Sequence, residues 1–143
     1  SMQAFLINPA DKAVTSVELP DTGDKLPAIC KHLRCDTFDA VSLPNGDCIY
    51  VDDEGLLKPM QHFFAVRGSA QPYAGRGLVV GTDARGRSIA PAVTLPELTA
   101  HLRFIELITR RVAIVRDAAH PTISERVLPL NLILATLAEE ADQ

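Results

Sequence analysis

The chain has 143 residues, with 14 basic and 18 acidic side chains, a formal charge of −4, 47% hydrophobic residues and 22% charged ones. These are ordinary globular values, and they exclude an intrinsically disordered chain. The scattered basic residues argue against a phosphate-tracking nucleic-acid surface, the balanced charge argues against a carboxylate-covered DNA mimic, and no apolar run approaches the roughly 18–20 residues of a membrane-spanning helix.

The length fits one domain, expected over residues 3–138. Ser1-Met2 reads as a cloning scar before the native Met2, and Phe5-Leu6-Ile7 is too short for a signal-peptide core. Ala4–Ile7 and Ala13–Leu19 read as two short strands around a turn, stopped by Pro9 and Pro20. Leu26, Ile29, Cys30 and Leu33 then recur at helical spacing, which predicts a short helix near 24–34 with Pro27 tolerated in its first turn. Thr37–Leu43 and Asp47–Val51 flank Pro44-Asn45-Gly46, a hairpin signal pointing to a type I′ turn.

Asp52-Asp53-Glu54-Gly55 closes that hairpin. His62–Val66, Gly77–Val80 and Ser88–Ala90 supply further short strands, and the loop from Arg67 to Arg76 is rich in glycine and proline. From residue 94 the period changes. Thr94-x-x-Glu97 forms a capping box, and Leu95, Leu98, Leu102, Ile105, Ile108, Val112 and Val115 step by threes and fours. This spacing predicts a long helix over about 94–118, ended by His120-Pro121. A second box, Thr122-x-x-Glu125, opens another segment, which Pro129 interrupts before a C-terminal helix with Leu130, Ile133, Leu134 and Leu137 on one side. The expected fold class is α+β: a mainly antiparallel sheet of short strands packed against the long helix, with a short helix in the N-terminal half and a C-terminal helix.

Reactive constellations are few. Gly75-x-Gly77-x-x-x-Gly81 misses dinucleotide-loop spacing and enters a strand, so it reads as a turn. Cys30, Cys35 and Cys48 form neither a CxxC pair nor a zinc set, and His32, His62, His101 and His120 show no HExxH or HxH spacing. Without a GxSxG signature or a recognisable cysteine nucleophile, no catalytic residue is assigned. Neither a metal nor a cofactor is expected. Phe63 and Phe64 read as core residues. The weak binding candidates are Arg67 and Arg76, with the carboxylates Asp52, Asp53 and Asp83, arranged so that an anionic ligand or nucleotide would meet the arginine-bearing loops of 67–87.

Ile49-Tyr-Val-Asp-Asp-Glu-Gly-Leu-Leu-Lys58 followed by Gly75-Arg-Gly-Leu-Val-Val-Gly-Thr-Asp83, with an opening strand like Ala4-Phe-Leu-Ile-Asn-Pro9, resembles a small domain family of unknown function. Its members are encoded largely by bacteriophages, plasmids and related mobile elements, and the resemblance covers roughly residues 3–90. It carries no catalytic residues over. It implies an accessory protein of a mobile element, acting in a bacterial cytoplasm. Together with the long apolar stripes, this leads to the expectation of a non-catalytic protein-binding module, forming a homodimer through its C-terminal helices. The alternative is a protein or enzyme that binds a small anion or nucleotide.

Overall fold

The computed structural model describes residues 1–143. Two antiparallel sheets are stacked face to face, and a helix covers the outer side of each. The first sheet begins with β1 (Met2–Asn8) and β2 (Ala13–Leu19), paired along their whole length from Met2 opposite Leu19 to Asn8 opposite Ala13. Their turn is tied by Asn8, whose side chain exchanges hydrogen bonds with Asp11, and by Lys12 in the left-handed region at φ 54°. Helix α1 (Leu26–Leu33) follows. The Asp24 carboxylate accepts from the Leu26 N–H, Pro27 lies in the first turn, and Arg34 ends the helix at φ 56°.

The hairpin of β3 (Phe38–Ser42) and β4 (Cys48–Asp52) forms around Pro44-Asn45-Gly46 as expected, but its turn is of another type. The Gly46 N–H donates to the Leu43 carbonyl and only Gly46 has positive φ, at 91°. Pro44 explains the difference: its ring holds φ near −65°, which suits the second position of a type I turn and forbids type I′. Asp47, 1% exposed, then locks this corner, because its carboxylate accepts from the N–H groups of Ala92 and Val93 and from Asn45.

A 3₁₀ turn (Gly55–Leu57) leads to β5 (His62–Val66) and β6 (Tyr73–Ala74), which belong to the second sheet. The chain returns to the first sheet as β7 (Gly77–Thr82) and the two-residue β8 (Ser88–Ile89). The first sheet runs β2-β1-β7-β4-β3, with β8 beside β7.

The long helix expected over 94–118 does not form. Thr94 caps as predicted, accepting from the Glu97 N–H at 3.3 Å, but α2 is only Leu95–Ala100. The remainder is a hairpin of β9 (Leu102–Leu107) and β10 (Val112–Asp117). β-Branched Ile105, Ile108, Thr109, Val112, Ile114 and Val115 favour strand because their χ1 freedom is restricted in a helix. The Thr109 hydroxyl accepts from the N–H groups of Arg111 and Val112 and makes the turn, while β5 takes β9 as a partner from His62–Glu106 to Val66–Leu102. The second box also fails: Glu125 ion-pairs with Arg116 instead of starting a helix. The chain continues as edge strand β11 (Arg126–Pro129) and α3 (Leu130–Ala141), and the second sheet runs β11-β10-β9-β5-β6.

Three cores follow from this stacking. Phe5, Ile7, Val79, Phe64 and Phe104 are among those meeting between the sheets. Ala4, Leu6, Leu78 and Val80 turn the other way, onto Ile29 and Leu33 of α1. Ile105, Ala113 and Val115 turn outward onto Ile133 and Leu137 of α3. The central strands are buried on both faces, so their sequences read as mainly apolar runs, interrupted at Arg103, Glu106 and Arg116. At about 25 cal/mol per Å², each fully buried Leu, Ile or Phe contributes about 1.5–3 kcal/mol, and such burial dominates the stability of this small fold.

Candidate functional site

The five residues singled out in the sequence do not converge. Asp52 is nearly buried and ion-pairs with Lys58 at 2.6 Å, while its other oxygen accepts from the Glu54 N–H. Asp53 accepts from the Thr37 hydroxyl. Both carboxylates line a shallow recess of about 320 Å³ beside edge strand β3, with Asp39 and Tyr73 on its walls. Asp83 is engaged in its own turn: it accepts from the backbone N–H groups of Arg85 and Arg87 and ion-pairs with the Arg87 guanidinium at 2.9 Å. Hydrogen bonding from the Arg87 backbone first, then from its side chain and from the Arg85 backbone, outweighs burial and lowers the Asp83 pKa.

The two arginines lie at opposite ends of β5. The Gly75 N–H donates to the His62 carbonyl at one end, and the Arg67 N–H donates to the His101 carbonyl at the other. Five strand residues separate those ends by on the order of 15 Å. Arg76 donates to the His32 carbonyl at 3.2 Å, and burial followed by the neighbouring Arg34 charge lowers its pKa. It borders a recess of about 270 Å³ with Asn8, Asp11, Arg34 and His62. Arg67 instead lines a larger cleft at the far end.

The motif pieces that carry the family resemblance prove to be architectural. Gly75 turns the chain at φ 76°. At Gly77 a Cβ would stand 2.6 Å from Cζ of Phe64, and at Gly81 one would collide with the Ala90 carbonyl. These glycines therefore let the two sheets and the β8 corner approach β7. No helix follows them, so there is no N-terminus to hold a phosphate. Gly55 likewise packs its backbone against Ala74, where an added Cβ would lie 3.1 Å from the Ala74 methyl. Leu56 and Leu57 remain exposed.

The C-terminal part holds charges for which the sequence offered a signal that went unused: isolated charged residues inside apolar runs. A charge in a strand covered on both faces needs a partner. Arg116, 5% exposed, is bracketed by Glu106 at 3.0 Å and Glu125 at 2.9 Å. Burial works against the charged guanidinium, but the hydrogen bonds and charges of the two glutamates outweigh it and raise its pKa. On the opposite face of the sheet Arg103 grips Glu140 of α3 through both nitrogens at 2.9 Å. Arg103 also faces a cleft of about 440 Å³ between α3 and the ends of β9, β10 and β11, shared with Arg67, Arg126, Asp117 and Ile123. Its volume exceeds those of the recesses beside Asp52 and Arg76.

Two of the three thiols sit where burial disfavours their charged form. Burial pushes the Cys35 thiol up to about 11, with the Asp52 charge adding to it, and burial also raises Cys48, so both resist forming the reactive thiolate. No three His, Cys, Asp or Glu side chains gather into a metal-binding group. No helix is long and apolar enough to cross a membrane.

What the fold and motifs define is a small α+β protein of two stacked antiparallel sheets, in which the signature glycines and aspartates build turns and close contacts. The chain belongs to the family described as "Domain of unknown function (DUF3846)", whose model matches residues 2–101. It is also similar to "Uncharacterized protein y4iR" of Sinorhizobium fredii (strain NBRC 101917 / NGR234), with 23% identity over 118 residues, covering 82% of this chain and 73% of that protein. No solved structure matches. The family match ends at the last turn of α2, so β9, β10, β11 and α3 lie beyond it.

Proposed function

We propose that this chain is a non-catalytic protein-binding module, an accessory protein of a bacterial mobile element, acting in the cytoplasm with residues 3–138 as one domain. Its first partner in this reading is a second copy of itself, docked through α3. The observation that carries the reading is the outward surface of that helix. Ile133 and Leu137 already satisfy the sheet, yet Leu132 and Leu134 are 50% and 39% exposed. Leu132 lies beside exposed Ala135 on one flank of the helix and Leu134 beside exposed Ala138 on the other, with exposed Asn131 and Glu139 as the polar residues between them, and the helix contains no lysine or arginine. A surface helix ordinarily turns a charged face to water. Val127 on edge strand β11, 59% exposed, extends the apolar area beside it. Small alanines allow a second helix to approach closely, and a two-fold pairing would place the same patch on both copies.

Light scattering coupled to size exclusion tests this with the full chain. The unaltered protein should elute as a dimer, and a variant carrying Leu132→Glu and Leu134→Glu as a monomer with unchanged far-UV circular dichroism. A wild-type monomer at every soluble concentration would remove the self-pairing and leave the helix face without its proposed occupant.

A further inference from the structure

We propose that the cleft between α3 and the second sheet is a binding site for a small amphipathic monoanion, such as a medium-chain carboxylate. This site lies beside the proposed pairing face and does not depend on it. Its volume of about 440 Å³ falls in the usual range of small-molecule sites.

Its chemistry is divided. The apolar part is Leu128 of the sheet with the edges of Val115, Ile133 and Leu137, which are otherwise buried in the α3 core, and Ser124 and Thr136 are the uncharged polar lining. Ile123, 85% exposed, stands at the rim with nothing packed over it. The charged wall holds three arginines, Arg67, Arg103 and Arg126, against two acids, Asp117 and Glu140, which leaves one positive charge. Arg103 and Glu140 neutralise each other, with one hydrogen bond from Nη1 to Oε1 and a charge contact of Nη2 with Oε2, which accepts no hydrogen bond, so the uncompensated charge belongs to Arg67 and Arg126. Neither makes an ion pair, and Asp117 is the one remaining acid of the lining.

A single negative head balances this wall, with its apolar body lying against Leu128 and the exposed Ile123. A nucleotide fits poorly: no aromatic ring lines the cleft to stack a base, no glycine loop borders it, and two free guanidiniums cannot neutralise a chain of phosphates. Arginine suits the proposed role because its planar fork binds a carboxylate with two hydrogen bonds and stays charged at all working pH values.

Thermal shift and titration calorimetry with octanoate, 1-octanol and acetate separate the two halves of the recognition. Octanoate should stabilise the chain saturably, while acetate and 1-octanol at equal concentration should not. Arg67→Gln and Arg126→Gln, both at exposed and unpaired side chains, should keep the fold by circular dichroism and each weaken octanoate about tenfold or more. Arg85→Gln, on the remote β7–β8 turn, should bind as wild type. The proposal is overturned by an absent or non-saturable octanoate response, by equal binding of 1-octanol, or by arginine variants that bind as wild type. Because the readout is ligand affinity, these outcomes remain distinct from loss of the dimer.

Discussion

Residues 2–101, matched by the family model, and residues 102–143 beyond it solve the same packing problem in different ways. The first region is held by close backbone approach: glycines at 77 and 81 admit Phe64 and the Ala90 carbonyl, and a buried Asp47 ties the β3–β4 corner to the 92–93 backbone. The second region relies on side-chain charge set among apolar residues, with Arg116 between Glu106 and Glu125 and Arg103 clasped by Glu140. Both regions leave apolar side chains in the open, Leu26, Leu56, Leu57 and Ile89 in the first and Ile108, Ile123, Val127, Leu132 and Leu134 in the shorter second. The difference separates a scaffold built from turns and tight contacts from an appendage that completes the second sheet and presents a surface. The proposed pairing face on α3 lies in the appendage, the part the family model does not reach.

The strongest way to break that contrast is to ask whether the appendage melts by itself. Leu137, 3% exposed in the core under α3, should cost about 2–5 kcal/mol when changed to Ala. Because β9 pairs with β5 of the first region, calorimetry should still show one transition, lowered as a whole. Two separated transitions would divide the chain into independent units. On the scaffold side, Gly81→Val should cost about 3 kcal/mol, since a backbone carbonyl blocks the new side chain and cannot rotate away. A loss below about 1 kcal/mol in urea titration would show that the β8 corner yields and that close approach is not what holds it.

The ion pairs should rank lower. Arg116→Ala leaves Glu106 without its partner beside the core and should cost about 2–3 kcal/mol, near the lower end for a broken buried pair because both glutamates are partly exposed. Glu125→Gln, at a 47% exposed side chain, should cost under about 1 kcal/mol. Equal losses in equilibrium unfolding would contradict the ordering.

The smallest effect concerns acid. The lowered Asp83 pKa means that the native turn favours the carboxylate; this stabilisation is present above the unfolded-state pKa and fades as pH falls through the native one. Asp83→Asn should therefore make stability less dependent on pH below the ordinary aspartate value and leave its dependence at neutral pH unchanged. A denaturation series across that acid window gives the answer, and an unaltered acid slope would count against the turn's contribution.

Legibility followed the same division. The β1–β2 hairpin, α1 and the β3–β4 hairpin were readable because proline, asparagine and glycine punctuate the chain locally, and local steric rules decide such turns. Even there the turn type at Pro44 had to be corrected by the fixed φ of proline. Leu98 was read correctly on α2, but Leu102, Ile105, Val112 and Val115 were misread because strands covered on both faces lose their alternation. Apolar spacing by threes and fours then fits helix and buried strand equally well. The candidate site suffered similarly: Arg67 was noticed, but Arg103 and Arg126 join it only when β9 and β11 come side by side with β10.

The amino-acid order by itself determined the fold class: enough apolar residues for a core and turn chemistry for a run of short strands. Only the tertiary structure decided that the apolar stretch after α2 would fold as a hairpin, because β5 offered backbone partners and α3 offered a cover for its outer face. Hydrogen bonds to a strand distant in sequence are long-range contacts that no local window contains. They settled the competition between two backbone conformations of comparable local preference.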